Sequence, residues 1–325
     1  MKKFISIIAL MMVLVLAACS NSGESTEESA EEVEGSASET SEETSAESSE
    51  ASGGMVSYTT DGGEEIEIPE DPQRVVVMAT SYFGNVMQLD ANVVGAHARV
   101  TESDVLEPYT EDIELVEEGN IEQVMNLDPD LIIAFNSDEN LDKLKAIAPT
   151  VPIDYAKWNY LDIHRELGKI TNTEEKAEEW IAGWEAELEE NKAAVEEAIG
   201  ADATASVIEQ YAKDIYVYGT NWGRGTEILY QGLGVDVPEA IQNDVVETGW
   251  KAISAEEIEK YSGDYMFVGT GDSGADNAYR DTAVWENLEA VQNDRVVEFD
   301  SPTFYYNDPY SLEYQKDIIM EALTK

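Results

Sequence analysis

The chain has 325 residues, of which 69 are acidic and 19 basic, giving a formal charge of −50 at pH 7; it contains one cysteine. Such a chain offers no basic surface to neutralise phosphates, which excludes nucleic acid as a partner. A lone cysteine also excludes an internal disulfide.

Lys2 and Lys3 precede an apolar run from Phe4 to Ala18 that is broken only by Ser6. About 15 residues fall short of the roughly 20 that a helix needs to cross a bilayer. A basic start, an apolar middle and small residues before a cut site predict a secretory signal peptide over residues 1–18. Leu16-Ala17-Ala18-Cys19 is similar to a lipobox, which makes Cys19 the first mature residue and the lipid carrier. Two or more acyl chains hold a protein stably at a membrane. The expected location is therefore extracytoplasmic, anchored on the outer face of the cytoplasmic membrane in the Gram-positive manner.

Residues 20–54 contain eleven glutamates, no Lys or Arg, and no aromatic residue. This composition buries too little apolar surface to offset its ordering entropy, so residues 19–54 are expected to form a lipidated, disordered tether. Without the linker acids and the two signal lysines, 58 acids and 17 bases remain, still −41. That acidity is read as a solvated surface. No run of Asp and Asn with a closing Glu has the spacing of a calcium loop.

The remaining residues, about 270 of them, suffice for two lobes of ordinary domain size. Short apolar, β-branched runs recur: Arg74–Met78, Val93–Ala96, Leu131–Phe135 and Val151–Asp154, then Ala205–Ile208, Ile215–Tyr218, Met266–Val268 and Arg295–Phe299. Apolar on both faces and alternating with helical stretches, they are expected to be buried parallel strands, four to a lobe. Between the halves, Ala177, Trp180, Ile181, Trp184, Leu188, Val195 and Ile199 share one face of a 3.6-residue period. Thr171 with Glu174 fits a capping box, and Gly200 suits a helix end. A helix from Glu174 to Ile199 would be roughly 39 Å long at 1.5 Å per residue. The fold class is α/β: two Rossmann-like lobes, residues 55–165 and 201–325, joined by a single long rigid backbone helix within 166–200.

From about residue 56 onward the chain resembles the helical-backbone substrate-binding proteins of siderophore, haem and cobalamin ABC importers. The marks are Pro72-Gln73-Arg74, Glu122-Gln123-Val124 ahead of Leu127-Asp128-Pro129-Asp130, Ala148-Pro149-Thr150-Val151, and Trp285 with Leu288 before Arg295-Val296. Two segments are more specific: Tyr216-Val217-Tyr218-Gly219-Thr220-Asn221-Trp222-Gly223-Arg224-Gly225 with Glu227, and Thr303-Phe304-Tyr305-Tyr306-Asn307-Asp308-Pro309-Tyr310. Both look like ferric hydroxamate-binding lipoproteins of Gram-positive bacteria. The resemblance implies a shallow cleft between the lobes, modest closure on binding, a monomer, and delivery of the ligand to a membrane permease with its ATPase.

In a ferric trihydroxamate three hydroxamate anions balance Fe(III) and fill its coordination sphere. The protein then needs no cofactor and no metal ligands, only an aromatic cradle and hydrogen-bond donors. Arg224 offers a planar charged fork for the hydroxamate oxygens. Trp222 and Tyr216 offer broad amphipathic surface, and the glycines flanking Arg224 permit close backbone approach. The resemblance places Tyr216, Trp222 and Arg224 on the C-lobe wall and Tyr155 opposite them on the N-lobe. It puts Tyr305 where close relatives carry a tryptophan. Tyr82 and Trp158, near predicted strand ends, are second-rank candidates. Related proteins present one glutamate on each lobe to permease arginines. Here Glu122 matches on the N-lobe and Glu256 on the C-lobe, with Glu257 as a one-residue alternative.

Other substrates fit less well. A catecholate chelate carries strong negative charge and calls for several converging cations, where the matched segments hold one arginine. Haem needs an axial ligand such as His, Tyr or Met, for which Met78 and the tyrosines are available. Zinc or manganese calls for clustered His and carboxylates, and the only histidines, His97 and His164, are read as surface or capping residues. Another iron chelate, haem or cobalamin in the same importer class stays open as the alternative. No GxSxG elbow, P-loop or HExxH occurs, so nothing favours an enzyme.

Overall fold

A computed structural model describes residues 54–271 and 275–325. The signal peptide, Cys19 and the acidic linker up to residue 53 lie outside the described residues. Ahead of the first lobe, β1 (Met55–Thr59) and β2 (Glu65–Pro69) form an antiparallel hairpin. Alternation along Glu65-Ile66-Glu67-Ile68 turns both isoleucines onto the N-lobe core and both glutamates outward.

The N-lobe sheet contains β3 (Val75–Val77), β4 (Val93–His97), β5 (Glu114–Val116), β6 (Leu131–Phe135) and β7 (Thr150–Ile153), in the order β5-β4-β3-β6-β7. Every pair in it is parallel. Val75, Val76 and Val77 are fully buried at its centre, as a strand covered on both faces requires.

The C-lobe sheet has the order β10-β9-β8-β11-β12, from β8 (Ala205–Tyr211), β9 (Asp214–Tyr218), β10 (Trp250–Ile253), β11 (Tyr265–Thr270) and β12 (Val296–Asp300). Strands β8, β11 and β12 are parallel, but β9 runs antiparallel to both β8 and β10. The expectation that Ile215–Tyr218 is a parallel strand is therefore wrong. Only Ala212 and Lys213 separate β8 from β9, and Ala212 turns at φ +53°. A parallel return needs a crossover of a dozen or more residues.

The backbone helix runs from Glu174 to Ile199 and ends at Gly200 with φ +91°. Ala177, Ile181, Trp184, Leu188 and Val195 are buried along its predicted face, with Trp180 and Ile199 half-buried beside them. The Thr171–Glu174 capping box does not form. Thr171 belongs to the end of the preceding helix, Tyr160–Ile170, where its hydroxyl donates to the Leu167 carbonyl at 2.8 Å. The residue at the N-cap is Thr173.

A second connection joins the lobes. The segment before the C-terminal helix (Pro309–Thr324) returns to the first lobe, where Tyr306 is buried in the N-lobe core. The Tyr306 hydroxyl donates to the Arg99 carbonyl at 3.1 Å, and Tyr310 stacks on Tyr109 at 4.0 Å. Asp308 caps the C-terminal helix, accepting from the Tyr310 and Ser311 amides and the Ser311 hydroxyl. Its carboxylate sits against Gly84, where a Cβ would overlap it.

Candidate ligand-binding cleft

The irregular part of the C-lobe sheet forms one wall of a cleft of about 400 Å³. Glu209 comes from β8, Tyr216 and Tyr218 from β9, and Trp250 from β10. Residues two apart on a strand share a face, so Tyr216 and Tyr218 both face the cleft. Trp222 and Arg224 follow β9, while Ser301, Pro302 and Tyr305 follow β12. Arg99 and Glu102 form the opposite rim on the N-lobe.

Arg224 is the polar centre. Its Nε donates to Glu209 Oε2 at 3.0 Å and its Nη1 to the Trp222 carbonyl at 3.3 Å. Its guanidinium lies 4.6 Å from the Tyr218 ring centroid and 4.8 Å from that of Tyr305. The Arg224 and Glu209 side chains are only 12% and 5% exposed, so the arginine is not a loose surface ion pair. The Tyr218 hydroxyl also donates to Glu209 Oε2, at 2.6 Å. Burial alone would raise the Glu209 carboxyl, but the Arg224 charge and the donated hydrogen bonds outweigh it and hold it below the usual range. Burial pushes the Tyr218 hydroxyl upward, which keeps it a donor. On the rim Arg99 pairs with Glu102 at 3.3 Å. The cleft's four charged residues thus form two ion pairs, and their charges cancel.

The loop that carries Arg224 is set by backbone geometry. Gly223, Arg224 and Gly225 take φ +68°, +58° and +78° in succession. For arginine a left-handed conformation costs on the order of 1 kcal/mol and persists only when its surroundings fix it. Here the Arg224 amide donates to the Phe304 carbonyl at 2.7 Å, and the Gly223 amide to Glu227 Oε1 at 2.9 Å. A Cβ on Gly223 would lie 2.5 Å from the Tyr305 carbonyl oxygen. The close approach expected of these glycines is thus to the protein's own 304–305 segment. Glu227 is fully buried beneath the loop, with its carboxyl pushed up by burial while the Gly223 amide, Thr226 and Asn307 pull it down.

Tyr216, Trp222, Arg224 and Tyr305 all line this cleft. Tyr155, just after β7 on the N-lobe, is half-buried, its ring edge-on to the cleft-lining Trp222 at 5.5 Å and stacked on Tyr82 at 6.2 Å. Tyr82 is buried in the N-lobe core, and Trp158 donates its ring N–H to Asp61 at 2.8 Å. Glu122 is exposed on the first turn of the helix Ile121–Asn126. Glu256 is exposed as well, whereas Glu257 closes a capping box on Ser254. His97 caps the 3-10 turn Ala98–Glu102, its Nδ1 accepting from the Arg99 amide. His164 is neither surface nor cap. It is fully buried against Asn85, with burial lowering its imidazole to about 4. Sequence reasoning missed Arg99, Glu102, Glu209, Tyr211, Tyr218 and Trp250, all of which line the cleft. The period-two spacing of Tyr216 and Tyr218 was the one signal available for any of them.

Comparison with known proteins gives a consistent result. Residues 75–303 match the sequence family described as periplasmic binding protein. The iron(3+)-hydroxamate-binding protein FhuD of Bacillus subtilis (strain 168) is 36% identical over 322 residues, spanning 98% of this chain and 96% of that protein. Among solved structures, the FhuD protein from S. pseudintermedius aligns with TM-score 0.79 at 39% identity, covering 83% of this chain and 98% of that one. FhuD2 from Staphylococcus aureus with bound ferrioxamine B aligns with TM-score 0.75 at 37% identity, covering 78% and 98%.

Proposed function

Since the chain belongs to the periplasmic binding protein family, we propose that it is the substrate-binding component of an ABC importer and captures ferric hydroxamate siderophores of the ferrichrome or ferrioxamine kind. One observation carries this reading. The cleft combines an aromatic wall with charges that cancel in pairs, Arg224 with Glu209 and Arg99 with Glu102. A chelate that is neutral at its metal centre suits such a site, whereas an anionic catecholate would meet no excess positive charge. The named ligands of FhuD and of FhuD2 support the same class.

Arg224 spends two of its five donors on Glu209 and Trp222. The remaining N–H groups are available to hydroxamate oxygens, and Trp222, Tyr216 and Tyr305 pack around the chelate. Tyr155 buttresses Trp222 from the N-lobe. The iron stays in the siderophore, and the protein supplies no ligand to it. Membership in a solute-binding family makes the chain a receptor, not a catalyst.

Residues 1–18 act as a signal peptide, Cys19 carries lipid at the outer face of the membrane, and residues up to 54 form the tether. A monomer with lobes 55–165 and 201–325 about the 166–200 helical segment delivers its cargo to the permease and its ATPase. Glu122 and Glu256 meet permease cations, setting orientation and encounter rate more than affinity. Replacing both by alanine should reduce uptake while leaving siderophore affinity unchanged, and normal uptake would remove them from the docking face.

The direct test is a titration of intrinsic tryptophan fluorescence with ferrioxamine B, ferrichrome, a ferric catecholate, haem and cobalamin. Saturable quenching by the hydroxamates alone supports the assignment. Selective binding of haem or cobalamin would retain the importer role and overturn the substrate.

A further inference from the structure

The cleft has two ends of different chemistry. At the buried end stand Arg224 and Glu209. At the open end stand large side chains that stay exposed. Trp250 is 44% exposed and Tyr211 61% exposed, and both line the cleft.

Strand geometry puts these residues on one face of the sheet, Tyr211 lying two residues beyond Glu209, the cross-strand partner of Tyr216. Trp250 pairs with Tyr218 across the antiparallel β9–β10 ladder, and its ring stands edge-on to Tyr216 at 5.5 Å. β10 is the edge strand of the sheet, so Trp250 occupies the border of the cleft. The next residue, Lys251, sends its ammonium to the Tyr261 hydroxyl at 2.9 Å and to Asp244. Period-two alternation therefore places the cation on the opposite face of the strand and leaves the cleft face aromatic.

Resting on the siderophore reading above, we propose that Trp250, with Tyr211 and Tyr216, forms an aromatic ledge that holds the apolar organic arm of the chelate and makes the receptor select long-armed hydroxamates. Arg224 fixes the hydroxamate oxygens at one end, and the uncharged ledge receives methylene or acyl groups at the other. Burying such groups against an aromatic face is favourable in proportion to the area covered. The ledge discriminates by arm length and contributes little to recognition of the metal centre.

Calorimetry on the whole chain with N-acetyl and N-octanoyl ferrioxamine B, two chelates of equal charge, tests this. The native protein should bind the octanoyl form more tightly, and Trp250→Ala should weaken that form about tenfold while changing the acetyl form less than about threefold. Trp250→Phe, which keeps a ring, should retain most of the preference. Equal loss for both chelates in Trp250→Ala, or an unchanged preference, overturns the ledge alone. No binding of either chelate by the native chain overturns the siderophore reading and the ledge with it.

Discussion

The two lobes contain five-stranded sheets of the same size, but one is regular and the other is not. In the N-lobe every strand runs parallel to its neighbours. In the C-lobe an antiparallel meander, β8-β9-β10, replaces half of that pattern. The meander carries Glu209, Tyr211, Tyr216, Tyr218 and Trp250, while the regular sheet sends no strand residue into the cleft. Parallel strands covered on both faces have no side chains to spare for a ligand. An antiparallel edge leaves one face open, and the cleft is built on that face.

Arg224→Ala should give the largest effect. It removes the donors and leaves Glu209 buried without its partner, which costs roughly 3–5 kcal/mol of stability. Hydroxamate affinity should fall about a hundredfold or more. Adding Glu209→Gln should restore much of the thermal stability and none of the affinity. Recovery of both would mean that the arginine's role is structural.

The next largest effect is expected at Asp308, which caps the C-terminal helix and packs against Gly84 of the first lobe. Burial raises its carboxyl to about 6, against the hydrogen bonds from Ser311 and Tyr310 that lower it. A carboxyl raised above its unfolded value gives stability that is fully present below about pH 4 and lost as pH rises through 6. Asp308→Asn keeps the cap and the shape. The variant should therefore be the more stable protein at pH 8, by up to roughly 3 kcal/mol, and lose that advantage at pH 4. Thermal melts at both pH values check this, and a difference that does not vary with pH would refute it.

Gly223→Ala should cost about 2 kcal/mol, because it meets both a left-handed backbone and the Tyr305 carbonyl. Displacing the 304–305 segment should also weaken hydroxamate binding, measured by the same titration. In the regular sheet the outcome should be the reverse. Ile133→Val, in the N-lobe core, should lower stability by about 1 kcal/mol and leave affinity untouched. A measurable affinity change there would break the division between scaffold and site.

The same contrast explains what the sequence could tell. Val75–Val77, Leu131–Phe135 and the other apolar runs were legible because a buried parallel strand is apolar on both faces. The hairpin β1–β2 was not, since Glu65 and Glu67 interrupt its isoleucines and the stretch follows an acidic linker. Trp250-Lys251-Ala252-Ile253 gave no strand signal for a similar reason, being half polar at a sheet edge. Trp222 and Arg224 stood out through their flanking glycines. Glu209, one acid among 69, did not. Only the fold brings it to Arg224, fifteen residues along the chain.

Tyr306 and Tyr310 pack against a core whose other members begin with Tyr58. The first lobe to be synthesised is thus completed only by a piece of chain made much later, Tyr306 lying 207 residues beyond the Arg99 carbonyl to which it donates. N-terminal domains ordinarily fold first during synthesis. Here the chain's own connectivity works against that order, since part of the N-lobe core comes from residues 306 and 310. The contact between Tyr306 and Arg99 must wait until residue 306 has been made, so a chain cut short at residue 300 would leave both lobes unfinished.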